Sequence, residues 1–394
     1  MRPPLEGIRD AFEIHPEAIY VNAASEGPIP KQARQVLLSV LERKAVDPFR
    51  LGGEEYFQVP LRSRDLCAAL VGCRPPEISL TTGTGAGINL AASGLPLEPG
   101  DEVLLLKGDF PALLNPFLHA QRRGVVPIEV VPSGKYPALS DFERAASPRT
   151  RVLAISHVLQ YDGFRHDLAA LGRFCRDRDI WFVVDAAQSA GVLPIRFEED
   201  RIDILAAPGH KWLLGLTGTG FAAIRESVME RMIPPAVGWM GCLSNAAQFI
   251  AIPPFDLALF QGGKKFEVGT TPYLQLAAWN ESLDLILRVG VATIEAHVLS
   301  LLAPLWEFLR QSRYKLISSP ETPHRSAIVS FTGRFAAKQF KLLHERKVFA
   351  GLRMGAIRIS PHLYNTREEM VRIVEILKEL EGVKLEADRK GENL

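Results

Sequence analysis

Between residues 179 and 225 the chain places an aspartate, a histidine and a lysine where chemistry is possible. Asp185 directly follows the apolar run 180–184, and His210-Lys211 follow a second run, 202–207, through Pro208-Gly209. Continuous apolar runs of this length predict strands buried on both faces of a parallel sheet. Open sheets of this kind hold ligand-binding groups at the carboxyl ends of their strands. A carboxylate, an imidazole and an amine would then share one sheet edge. A lysine amine so placed can join a carbonyl carbon as a Schiff base. Asp185 is equally suited to cap a helix, and a His-Lys pair is commonly a solvated surface pair, so neither feature alone decides the chemistry. The run Gly215-Leu-Thr-Gly-Thr-Gly220 supplies a tight turn into a third strand, 221–224.

A second constellation lies upstream. The segment Ile78-Ser-Leu-Thr-Thr-Gly-Thr-Gly-Ala-Gly87 predicts a strand, a glycine-rich turn and a helix start. Exposed backbone N–H groups and the helix dipole make such a turn an anion site. It comes close to a dinucleotide fingerprint, with Asp101 and Glu102 downstream, but its third glycine stands one place early. It lacks the Gly-Lys-[Ser/Thr] of a nucleotide P-loop. A dinucleotide-binding oxidoreductase is therefore one reading of these glycines, and it gives Lys211 no role. Pyridoxal phosphate (PLP) is the other, because it requires a lysine and an acidic partner for its pyridinium nitrogen.

The pattern Asp185-Ala-Ala-Gln188-Ser189-Ala-Gly191, then His210-Lys211, then Gly215, Gly218 and Gly220, resembles the class V aminotransferases. That family of PLP enzymes includes cysteine desulfurases, kynureninase and the isopenicillin N epimerase type. The resemblance runs from about residue 20 to about residue 380 and implies an α/β PLP-dependent fold of type I. A large domain carries a mostly parallel sheet flanked by helices, and a smaller α+β domain follows. By residue, it implies Lys211 as the Schiff-base lysine and Asp185 as the partner of the ring nitrogen. Thr84 and Gly85 would hold the phosphate, although Gly85 replaces a frequent threonine. Phe110 would lie on the ring, where several relatives have histidine. Gln160, Gln188 and His210 would complete the cofactor site, with Gln160 in place of a frequent asparagine. Pro208 stands where the family often has serine, so that phosphate contact is expected to be replaced. Thr270, in Phe266-Glu-Val-Gly-Thr270, would reach the phosphate of a neighbouring subunit, which implies a homodimer with sites at the interface. Arg358 would hold the substrate carboxylate and Asn22 would line the pocket.

The same resemblance makes a small amino acid the substrate and transamination the leading reaction. A lyase of the desulfurase kind, or an epimerase, is the alternative on the same scaffold, and a catalytically dead binding protein is a further rival. Sulfur transfer is disfavoured because the stretch before Arg358, residues 347–357, holds no cysteine. A phenyl ring at 110 cannot move a proton, which weighs against relatives that use a histidine there.

Composition bounds the remaining classes. The chain has 394 residues and a net charge of +1, so it is long enough for two domains and has no general attraction to nucleic acid or membrane. Cys67, Cys73, Cys175 and Cys242 form no metal spacing and are expected as free thiols in a reducing cytoplasm. No metal site is expected. The N-terminus lacks an apolar signal region and no long apolar run is evident, so neither a signal peptide nor a membrane span is expected.

The elements that must position these residues follow from periodicity. Helices are expected at 32–45, 59–71, 140–146 and 168–178, with a loop at 47–56. Strands are expected at 101–106, 125–131 and 151–157. A long irregular region carries Pro-Pro pairs at 234–235 and 253–254. Residues 272–311 read as one long helix leading to the second domain. There, strands at 326–331 and 355–359 and helices at 335–346 and 367–381 complete the chain. The expected divisions are an arm 1–20, a PLP-binding domain 21–271, a connecting helix 272–290 and a small domain 291–394.

Overall fold

The computed structural model describes residues 5, 7–47, 54–243 and 255–382. After a short extended piece, β1 (Ile19–Tyr20), the chain builds a seven-stranded sheet. Its strands are β2 (Ile78–Thr81), β3 (Glu102–Leu106), β4 (Val126–Val130), β5 (Thr150–Ser156), β6 (Trp181–Asp185), β7 (Ile204–Pro208) and β8 (Gly220–Ile224). Their spatial order is β2-β8-β7-β6-β5-β3-β4. Only β8 runs antiparallel to its neighbours, so β2 points the same way as β3 to β7. The carboxyl ends of β2, β3, β5, β6 and β7 therefore open on one edge.

The continuous apolar runs arise because both faces of this sheet are covered. Val183, Ile204, Ala206, Val152 and Ala154 face one core, with helices α3 (Thr84–Gly94) and α4 (Pro111–His119). Phe182, Val184, Leu205, Ala207, Leu153 and Ile155 face the other. Helices α2 (Glu54–Val71), α6 (Leu168–Arg176) and α8 (Tyr273–Val289) pack there, and α1 (Lys31–Val46) lies over α8. Short helix α5 (Leu139–Ala145) completes this layer, whereas α7 (Glu226–Met229) packs on the first core through Val228 and Met229. Helix α6 starts where Asp167 accepts the Ala170 N–H at 3.0 Å, an N-cap that satisfies one orphan donor.

Beyond it lies a four-stranded antiparallel sheet, β12 (Gly351–Arg353), β13 (Ala356–Ile359), β10 (Val329–Thr332) and β9 (Lys315–Leu316), in that order. Helices α9 (Val291–Gln311), α10 (Ala336–Glu345) and α11 (Arg367–Gly382) surround it. Helix α11 opens on a capping box: Glu369 N–H donates to Thr366 Oγ1 at 3.3 Å and Thr366 N–H to Glu369 Oε2 at 3.0 Å. The strand β11 (Val348–Phe349) pairs in parallel with β1.

Two expectations need correction. Helix α2 starts at Glu54, so part of the loop expected at 47–56 is helical, and residues 48–53 lie outside the described residues. The long helix expected at 272–311 is two, α8 and α9, split at Gly290 with φ of +85°. Such a φ suits glycine and interrupts helical geometry. Helix α9 is also apolar and long enough, by composition alone, to cross a membrane. Its buried positions Ile294, Val298, Leu301, Leu305 and Leu309 form one stripe against the core, which is the pattern of an amphipathic core helix. The second Pro-Pro pair, 253–254, lies outside the described residues.

A buried ion pair ties α2 to the segment before α8. One Arg64 guanidinium nitrogen donates to both Glu267 oxygens at 2.6 Å, and the Leu80 N–H donates to Glu267 at 3.0 Å. Arg64→Ala strands a buried carboxylate and is expected to cost about 3–5 kcal/mol in urea unfolding. A loss near zero would show that water reaches Glu267.

Candidate active site

Each candidate side chain stands at a strand end of the shared edge or on the arm that crosses it. After β7 the chain turns at Gly209, where a Cβ would lie 2.0 Å from Thr219 Oγ1. The arm following β1 then packs directly on His210-Lys211. Gly27 N–H donates to the His210 carbonyl at 2.8 Å, and a Cβ on Gly27 would lie 2.1 Å from the Lys211 carbonyl. Only glycine permits that approach. Lys211 is partly buried, and its Nζ lies 5.7 Å from the Phe110 ring centroid. Burial lowers the proton affinity of its amine, Asp185 restores part of it, and the guanidiniums of Arg358 and Arg353 lower it again. The amine is thereby biased toward its neutral, nucleophilic form.

Asp185 is buried at the end of β6 and accepts the Ala187 N–H at 2.7 Å. Burial lifts its carboxyl to about 7, against the pull of that N–H and of Lys211. Asp109 lies at the end of β3, and its charge adds to the lift. It is itself buried, accepting from Ser156 N–H at 2.9 Å, Ser156 Oγ at 2.5 Å and Phe110 N–H at 2.6 Å. A carboxyl whose folded pKa is raised binds its proton more tightly when folded. The stability it adds is complete below about pH 4 and is lost as pH rises to about 7. Cofactor-free protein is expected to show that loss across this window in urea titrations, and Asp185→Asn to lack it. Identical pH slopes in the two proteins would contradict the assignment.

The anion corner lies at the start of α3. Gly83 has φ of +143° and packs backbone to backbone on Gly220, whose Cβ, if present, would lie 2.7 Å from Gly83 Cα. Thr84 Oγ1 is buried with no hydrogen-bond partner. A Cβ on Gly85 would meet nothing within 4 Å. His210 Nδ1 is likewise buried and unpartnered, and burial lowers the proton affinity of the ring. Helix N-termini with free donors bind phosphates.

A second corner, buried and cationic, is formed by β13 and the arm. Arg358 is buried at 1 % exposure, and burial lowers its pKa to about 9, with Arg353 contributing. Its Nη1 donates to the Gln160 carbonyl at 2.9 Å and its Nη2 to Ser25 Oγ at 2.8 Å. Ser25 Oγ in turn donates to Asn22 Oδ1 at 2.9 Å, so Asn22 stands behind the serine.

Lys211, Asp185, Phe110, His210, Arg358 and Asn22 thus gather around one edge, with Thr84 and Gly85 at its β2 end. Phe110 is 39 % exposed, so it is not a core phenylalanine. Gln160 contributes its carbonyl to Arg358. Both ends of the Gln188 amide are engaged by protein: Nε2 donates to the Ala24 carbonyl at 3.0 Å and Oε1 accepts the Trp212 indole N–H at 2.9 Å. Gln188 thus anchors the arm to the Lys211 loop. Thr270 is exposed and lines a cavity of about 310 Å³ beside Thr82 and Ala86, not beside Lys211. Sequence reasoning missed Asp109 and Arg353. Asp109 carried a weaker signal than Asp185, since Lys107 and Gly108 separate it from the end of β3. Arg353 carried none, because strand β12 has only three residues.

A reactive lysine, a buried acid, a ring-facing aromatic and an unpartnered anion corner define an α/β enzyme that handles a phosphorylated carbonyl cofactor. The residues fit PLP: Lys211 for its aldehyde, Asp185 for its ring nitrogen, Thr84 and His210 for its phosphate. The sequence pattern of the Aminotransferase class-V family matches residues 53–373, and the chain belongs to that family of PLP-dependent enzymes. An uncharacterized aminotransferase of Bacillus subtilis, YcbU, is 29% identical over 78% of this chain and 80% of its own length. Isopenicillin N epimerase of Streptomyces clavuligerus is 27% identical over 96% and 98%. The apo cysteine desulfurase of Thermococcus onnurineus shares the fold, with a TM-score of 0.86 at 23% identity over 97% of this chain and 98% of its own. Family membership sets aside the dinucleotide reading of the glycines at 83–87.

Proposed function

We propose that this enzyme is an aminotransferase acting on a small amino acid, and that it works as a cytoplasmic homodimer. The observation that carries the reading is Lys211, a partly buried amine of lowered proton affinity set between Asp185, Phe110 and Arg358. Lys211 would hold the cofactor, Asp185 would pair with its ring nitrogen, and Thr84, Gly85 and His210 would cradle its phosphate. When bound, the cofactor supplies an electron sink for the pair released at the substrate Cα. Arg358 would bind the α-carboxylate with its planar fork and fix which Cα bond faces Lys211. The Lys211 amine, once free, is the base for the Cα proton. Phe110 packs beside it and excludes water without exchanging protons.

Two observations favour transamination over its rivals. Cys242 is buried and its thiol donates to the Gly238 carbonyl at 3.2 Å, which suits a packed thiol better than a sulfur acceptor. Epimerisation needs a second acid opposite Lys211, and the ring of Phe110 stands where relatives have histidine. The exposed Thr270 and its cavity support a subunit interface at that face, across which Thr270 would complete the partner's phosphate site. The division into an arm 1–20, a cofactor-binding domain 21–271, a connecting helix 272–290 and a small domain 291–394 belongs to the same reading. The test is a half-reaction with single amino acids. Release of a keto acid in amounts equal to enzyme supports it, while racemised substrate or released sulfide would move the enzyme to the epimerase or lyase branch.

A further inference from the structure

Ser25 Oγ is shared by two guanidiniums. Arg353 Nη2 and Arg358 Nη2 each lie 2.8 Å from it. The other Arg353 contact is from Nη1 to the neighbouring Leu352 carbonyl at 2.9 Å. Arg358 Nε is buried with no partner. Among the described residues neither arginine makes an ion pair. The hairpin holds both in place. Arg353 faces Ala356 and Gly351 faces Arg358 in the β12–β13 register. Met354 and Gly355 turn it with φ of +48° and +75°, the positive φ that tight hairpins need. Gly351 leaves room for the buried guanidinium, since a Cβ there would lie 3.3 Å from Arg358 Nε.

Three cations are therefore grouped: Arg353 and Arg358 share Ser25, and both lie near enough to Lys211 for their charges to act on its amine. The carboxylates near them are Asp185, committed to the cofactor ring, and Glu26, exposed at the mouth. A single α-carboxylate would satisfy Arg358 and leave Arg353 without a counter-charge. We propose that the substrate carries a second carboxylate on its side chain, and that Arg353 binds it. The substrate class is then a dicarboxylic amino acid. A guanidinium on an edge strand, partly exposed and already oriented by Ser25, offers its free donors to such a group in a fixed fork.

This inference rests on the PLP-site reading above. The test uses the PLP-loaded enzyme and calorimetric titration with succinate and glutarate against butyrate and valerate. The wild type is expected to bind each diacid at least about tenfold more tightly than the monoacid of equal length. Arg353→Ala is expected to remove that preference and leave the monoacid affinity unchanged, and Arg353→Gln to do the same if alanine unsettles the hairpin. Arg358→Ala is expected to weaken both ligand classes. A wild type that shows its PLP absorption band yet binds both classes alike overturns this inference alone, as does an Arg353 variant that loses both equally. Protein without the band after PLP is added overturns the site reading and this inference with it.

Discussion

Lys211→Ala is expected to lose at least about a thousandfold in turnover, because on the proposed reading one substitution removes both the covalent anchor and the base for the Cα proton. It is also expected to lose all borohydride-trapped cofactor label. Stability should not fall with activity. Burial already disfavours the ammonium, and the arm contacts this residue through the backbone carbonyls of His210 and Lys211, which alanine keeps. The urea midpoint is therefore expected to be unchanged or higher. Trapped label persisting on another lysine would refute the assignment of Lys211.

Asp185→Asn is the second large effect. Asparagine keeps the shape and can still accept the Ala187 N–H, so folding and PLP uptake are expected to survive. What it would lose, on the proposed reading, is the negative charge that keeps a proton on the ring nitrogen. Removing one preorganised charge-stabilising group costs on the order of a hundredfold or more in kcat. The change should fall on kcat with little change in KM, because the proposed roles put Asp185 against the cofactor and Arg358 against the substrate. Activity within a few-fold of wild type would mean that another group keeps the ring protonated.

The strand ends were legible because a sheet covered on both faces demands continuous apolar runs, and the polar residue that stops each run marks the edge where ligands sit. That logic points to Asp185 and to the His210-Lys211 turn, but the residue that stops the run at 102–106 is Lys107, and Asp109 stands two places further on, past Gly108. The break at Gly290 was not legible, since both flanking segments are helical and a lone glycine is tolerated within helices. The role of Gln188 as a brace between Ala24 and Trp212 depends on contacts 164 and 24 residues apart, which no local pattern encodes. Arg353 was hidden for the same reason: its meaning comes from Ser25, brought to it by an arm 328 residues away. Family resemblance supplied Arg358 and Thr270, whose positions have no signature in periodicity.

The most direct measurement is the visible spectrum of the purified protein with PLP, recorded before and after single amino acids are added, with the products identified by mass. A band typical of lysine-bound PLP that converts to the pyridoxamine form as a keto acid appears is the predicted result. A protein that shows no such band, or one whose band returns unchanged while the side chain is lost or Cα is inverted, would contradict the account.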